Sequence, residues 1–137
     1  MQNIWNGKFG LKIFPFLEKK VVLVGHSLGA IFLIRYLSEN KFPTKILATI
    51  LVASPYDDEK SVARSAGFVL KKDLSKIKNQ SEKLIFYHSR DDDNVPFESF
   101  EKYKKFLPEA NFVELKGRGH FTQSDFSEIV REIRKAF

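Results

Sequence analysis

Residues 21–37 read VVLVGHSLGAIFLIRYL. The opening VVLV is an unbroken apolar run, the pattern of a strand covered on both faces, whereas from position 28 onward Leu28, Ile31, Ile34 and Leu37 fall on one stripe at helical spacing. Ser27 stands where the period changes, with Gly25 two residues before it and Gly29 two residues after. A serine on a sharp strand-to-helix turn is the arrangement of a nucleophile elbow. Such a turn is strained and easily crowded, so Gly25 and Gly29 are expected to clear space around Ser27, with His26 as its flanking residue. The helix start adds partial positive charge and free backbone N–H groups, and the N–H of Leu28 is expected where an oxyanion would form. A plainer reading also fits, in which Ser27 merely caps the helix.

The same change of period recurs along the chain. Strands are expected at 20–25, 46–53, 83–88 and 111–115, and helices at 28–39, 97–107 and 124–136. The second helix carries Phe97, Phe100, Tyr103 and Phe106 on one stripe, and the third carries Phe126, Ile129, Val130 and Ile133. Residues 54–80 are less regular, a loop with a short helix or two. The first three strands are almost continuously apolar, which predicts cover on both faces. Alternating strands and helices imply an α/β fold of three layers: a mostly parallel sheet of about four strands with helices on both faces. No linker or shift of composition divides residues 1–137, so one domain is expected.

Composition narrows the classes of function. With 43% hydrophobic residues and 14 Phe, the chain has a globular rather than a disordered composition. Its net charge of +6 could suit an acidic partner, but the basic residues of KKDLSKIKNQSEK and EKYKKF alternate with acids and polar groups, as solvated helix faces do. No nucleic-acid partner is expected. No apolar run approaches the ~20 residues of a membrane span, and the first residues lack a signal-peptide pattern, so no membrane association is expected either. The absence of cysteine excludes disulfides and thiolate metal sites and suits a cytoplasmic location. A metal site is not expected: His26, His88 and His120 show no i, i+4 pairing with one another, and the DDDN cluster lacks the central Gly and terminal Glu of a calcium loop.

A serine hydroxyl is a weak nucleophile at neutral pH, so an elbow calls for a general base and an acid that orients it. With the serine on such an elbow they should follow in the order Ser, Asp, His, in loops after later strands. The strand at 83–88 is followed by SRDDDNVPF and the strand at 111–115 by KGRGHF, which carries His120. Loops after parallel strands gather at one edge of the sheet, where ligands bind in such folds. Spacing alone does not choose among Asp91, Asp92 and Asp93.

VVLVGHSLGAIFLIRYL, LVAS, SAGFV, HSRDDDNVPF and GRGHF, taken together over about residues 4–137, resemble the small serine hydrolases of the α/β-hydrolase superfamily related to retinoblastoma-binding protein 9 and to YdeN-like proteins. The resemblance implies Ser27 as nucleophile, His120 as base and Asp92 as acid, since the family's aspartate stands four residues before the proline that is Pro96 here. It further implies acyl transfer to Ser27 and on to water, a small ester, thioester or peptide substrate, and no cofactor. Family members also carry an upstream strand ending in a glycine-rich loop that supplies a second oxyanion N–H. This chain is expected to lack that loop, giving an N-terminally shortened α/β-hydrolase fold in which IFPFLEKK corresponds to the helix before the elbow strand. Two consequences are expected. The alternative to a serine hydrolase is a low-activity binding or interaction protein on the same fold. The elbow strand would also have an open edge, inviting a homodimer that buries Trp5, Phe9, Phe14 and Phe16.

Overall fold

Four β-branched and aromatic runs form the sheet of the computed structural model, which describes residues 20–58 and 61–137. They are β1 (Lys20–His26), β2 (Lys45–Val52), β3 (Leu84–Ser89) and β4 (Asn111–Leu115). The strands lie in sequence order, and every neighbouring pair is parallel. Parallel neighbours need crossovers, and the intervening segments supply helices α1 (Leu28–Glu39), α2 (Val62–Ser65), α3 (Ser75–Lys78), α4 (Phe97–Phe106) and α5 (Ser127–Ala136). The expectations for Trp5, Phe9, Phe14, Phe16 and IFPFLEKK fall outside the described residues, apart from Lys20 at the start of β1.

Helices cover both faces of the sheet. Ile31, Ile34 and Leu37 of α1, Ile77 of α3, and Phe100 and Tyr103 of α4 pack with Leu51 and Phe86 on one face. On the other, Phe126 together with Ile129 and Ile133 of α5 packs with Ile50, Val52, Ile85 and Tyr87. β2 is buried from Ile46 to Val52 and β3 along its whole length, in keeping with their unbroken apolar sequences.

β1 departs from its expectation. Val24 is 46% exposed, because β1 is the edge strand among the described residues and α1 covers only one of its faces there. α5 begins at Ser127 rather than at 124, since Phe126 is extended (φ −144°, ψ 80°) and reaches the core from the loop by stacking on Phe121 at 5.3 Å. Phe106 and Val130, placed on buried stripes by their spacing, are exposed.

The register matters for function. His26, Val52, Tyr87 and Val113 form one row across the sheet, so the segments after β1, β3 and β4 leave from the same carboxyl edge.

Candidate active site

Ser27 adopts φ 55° and ψ −119°, a left-handed conformation that a residue with a Cβ enters only under strain. Backbone hydrogen bonds hold it there. Its N–H donates to Val52 C=O at 2.8 Å, extending the β1–β2 ladder by one residue, while its own C=O accepts from Ala30 and Ile31 N–H at 3.0 and 3.2 Å. Ser27 occupies the N-cap position of α1, yet its side chain makes no capping hydrogen bond. The plain capping reading is therefore not what the serine does.

The two glycines differ. A Cβ on Gly25 would lie 2.7 Å from Gly29 O and 2.8 Å from both Cα and N of Ala30. Strand and helix approach so closely that only glycine fits. A Cβ on Gly29 would meet nothing within 4 Å among the described residues, and its φ is ordinary. Of the two glycines expected to clear the elbow, Gly25 does so by close backbone contact, and at Gly29 the described residues leave open space. Leu28 opens α1, so its N–H lies in the first turn, where no intrahelical carbonyl can accept from it.

Asp92 is the aspartate that meets the histidine. Its Oδ2 lies 2.9 Å and its Oδ1 3.1 Å from His120 Nδ1, and its side chain is fully buried. Oδ1 also accepts from the N–H groups of Asn94 and Val95, both at 2.8 Å. Those bonds turn the carboxylate inward. A carboxylate so supplied with donors accepts from Nδ1, so the proton of this contact belongs to His120 Nδ1.

Asp91 and Asp93 point elsewhere. Asp93 is exposed. Asp91 Oδ1 accepts from Ser89 Oγ and from Gly119 N–H at 3.1 Å, and these bonds hold its carboxyl below the usual aspartate range. Neither contact could be read from three consecutive aspartates.

His120 is brought to the elbow by its own backbone. His26 Nε2 donates to His120 C=O at 2.7 Å, and the two rings lie 4.8 Å apart. Beneath Asp92, buried His88 donates from Nε2 to Val95 C=O at 3.0 Å, with Asp92 Oδ2 at 3.7 Å, too far for a hydrogen bond. Burial pushes the His88 imidazole below its usual value, with the Val95 bond and the Asp92 charge opposing the shift, so the ring is neutral. Among the described residues no group of three or more His, Cys, Asp or Glu side chains could hold a metal ion, and no helix is long and apolar enough to cross a membrane.

The parallel sheet, the strained serine at the end of β1 and the aspartate–histidine pair after β3 and β4 define an α/β-hydrolase fold. A serine hydrolase family profile matches residues 5–131, and the chain belongs to that family. It is 27% identical over 127 residues to the serine hydrolase RBBP9 of Rattus norvegicus, covering 88% of this chain and 66% of the relative, so it spans just under two thirds of that relative's length. Among solved structures it superposes on the ydeN gene product from B. subtilis with a TM-score of 0.75 at 21% identity, over 93% of this chain and 70% of that one. It also superposes on MGS-MChE2, an α/β hydrolase from a lagoon-sediment metagenome of Mar Chica, Morocco, with a TM-score of 0.67 at 20% identity, over 93% and 66% of the two chains. The two superpositions establish the fold.

Proposed function

We propose that this chain carries the Ser27–His120–Asp92 triad of an acyl-transferring serine hydrolase. The observation that carries the proposal is the pairing of His120 Nδ1 with the buried Asp92 carboxylate, in a loop tied to the residue that precedes Ser27. His120 Nε2 takes the proton as Ser27 Oγ attacks an acyl carbonyl, and Asp92 holds the required tautomer. The developing oxyanion lies at the N-terminus of α1, where the Leu28 N–H donates to it. His120 then protonates the leaving group, and water activated by the same imidazole releases the acyl group from Ser27. Substrates are small esters, thioesters or short peptides, and the setting is cytoplasmic.

Hydrolysis of a p-nitrophenyl ester tests the assignment. Asp92→Asn presents the wrong histidine tautomer and should lower kcat by about 10³- to 10⁴-fold, whereas Asp93→Asn should cost about tenfold or less. Equal losses in the two variants would mean that the acid is another residue. A folded wild type without turnover would favour the alternative, a binding protein on a hydrolase fold.

Self-association belongs to the same proposal. Among the described residues β1 is the edge strand and Val24 on it is exposed, so a second copy is the proposed occupant of that edge, in a two-fold dimer. Light scattering at micromolar concentration should return the dimer mass; a monodisperse monomer would overturn it.

A further inference from the structure

Two side chains that the proposed chemistry does not use converge on the backbone around His120. From the end of β3, Asp91 Oδ1 accepts from Gly119 N–H at 3.1 Å and is itself fixed by the hydroxyl of fully buried Ser89. Ser89 Oγ also lies 3.3 Å from Arg118 N–H and accepts from it. From the elbow, His26 Nε2 donates to the C=O of His120 at 2.7 Å. The Gly119 N–H before the imidazole and the His120 carbonyl after it are thus each held by a side chain from another segment of the chain.

The loop needs such support. Gly117, Gly119 and Phe121 sit at φ 67°, 53° and 57°, so left-handed residues flank His120 on both sides. Glycine adds freedom that folding must remove, and a left-handed Phe121 is strained. Asp92 contacts only the Nδ1 side of the ring, which leaves the ring's approach to Ser27 to be set by the backbone. His26 stands immediately before Ser27, and Asp91 immediately before Asp92. Each is therefore covalently coupled to one of the two groups that His120 must serve.

The geometry points to a two-point clamp: Asp91, backed by Ser89, and His26 are positioning residues that fix the His120 backbone, and with it the reach of the imidazole toward Ser27. This deepens the triad proposal and rests on it. Ser89 Oγ and Gly119 N–H keep the Asp91 carboxyl ionised well into the acid range, so its acceptor role is insensitive to pH near neutrality.

The test combines amide hydrogen exchange, the downfield NMR signal of the His120 Nδ1 proton, and steady-state hydrolysis of a p-nitrophenyl ester. In Asp91→Ala the Gly119 amide should exchange about tenfold faster or more, while Ala30 and Ile31, which report on the elbow, keep their wild-type rates. Asp91→Asn retains an acceptor oxygen and should restore the protection. Both Asp91→Ala and His26→Ala should broaden the Nδ1 signal and lower kcat by about ten- to a hundredfold with little change in KM, as a displaced catalytic group does. Asp93→Ala should match wild type in every measurement. Unchanged Gly119 exchange in Asp91→Ala, or an unchanged Nδ1 signal in both alanine variants, would overturn the clamp. If wild type itself does not turn over, the triad proposal fails, while exchange and the Nδ1 signal still decide whether the clamp exists.

Discussion

Replacing Gly25 by alanine places a Cβ where the structure has no room. The three nearest atoms, at 2.7, 2.8 and 2.8 Å, all belong to the backbone of Gly29 and Ala30 in the first turn of α1, so no side chain can swing aside. Reaching an ordinary contact of 3.4 Å requires the strand and the helix start to separate by about 0.7 Å. Overpacking of this kind costs about 1–3 kcal/mol, and a purely backbone clash belongs at the upper end. For a chain of 137 residues, about 3 kcal/mol corresponds to a fall in Tm of roughly 10 °C. Because Ser27 lies between the two separating elements, kcat should also fall by about ten- to a hundredfold. Gly29→Ala is the control. It is the second residue of α1, with an ordinary φ and open space around its Cβ among the described residues, so alanine should be neutral or raise stability by up to about 0.5 kcal/mol. Thermal melts followed by circular dichroism, with ester turnover on the same samples, measure both. Equal Tm values for the two variants, or a Gly25→Ala protein that melts with wild type, would refute the close approach of β1 and α1.

Two further outcomes follow from buried polar groups on the α1 side of the sheet. Tyr103 is fully buried and donates its hydroxyl to Pro55 C=O at 2.6 Å, so Tyr103→Phe should cost about 1–2 kcal/mol in a urea melt; an unchanged midpoint would mean that this bond contributes nothing. His88 is held neutral below its ordinary value of 6.5, so the unfolded chain binds the extra proton first as pH falls. Its contribution is complete above that value and is lost below it, at up to about 1.4 kcal/mol per pH unit. Wild type should therefore lose more stability than His88→Gln between about pH 7.5 and 5.5, and parallel pH profiles would contradict the neutral buried ring.

Much of the sheet and of the candidate site was legible because the signals are local. The runs in β2 and β3 are apolar at nearly every position, and strands buried on both faces must be so. That the loops carrying GHSLG, DDDN and GRGH meet follows from the rule that parallel strands deliver their loops to one edge. Other features depend on contacts that spacing does not encode. Which of three adjacent aspartates faces inward is decided by the Asn94 and Val95 N–H groups that capture Asp92, a matter of turn geometry. Gly25 and Gly29 look equivalent around Ser27, yet among the described residues only Gly25 lies against the backbone of the neighbouring element. The open edge of β1 was expected from the family resemblance, but its apolar run alone reads as cover on both faces, and so did not announce the exposure of Val24. The contacts of His26 and Asp91 to the His120 loop span 94 and 28 residues of chain and carry no motif of their own.

The central claim is that Ser27 is an activated nucleophile, and covalent labelling by a fluorophosphonate probe measures this most directly. Intact-mass spectrometry should record a single adduct that maps to Ser27, vanishes in Ser27→Ala and forms at least about a hundredfold more slowly in His120→Ala. Labelling that persists in Ser27→Ala, or a folded wild type that takes no label, would contradict the account.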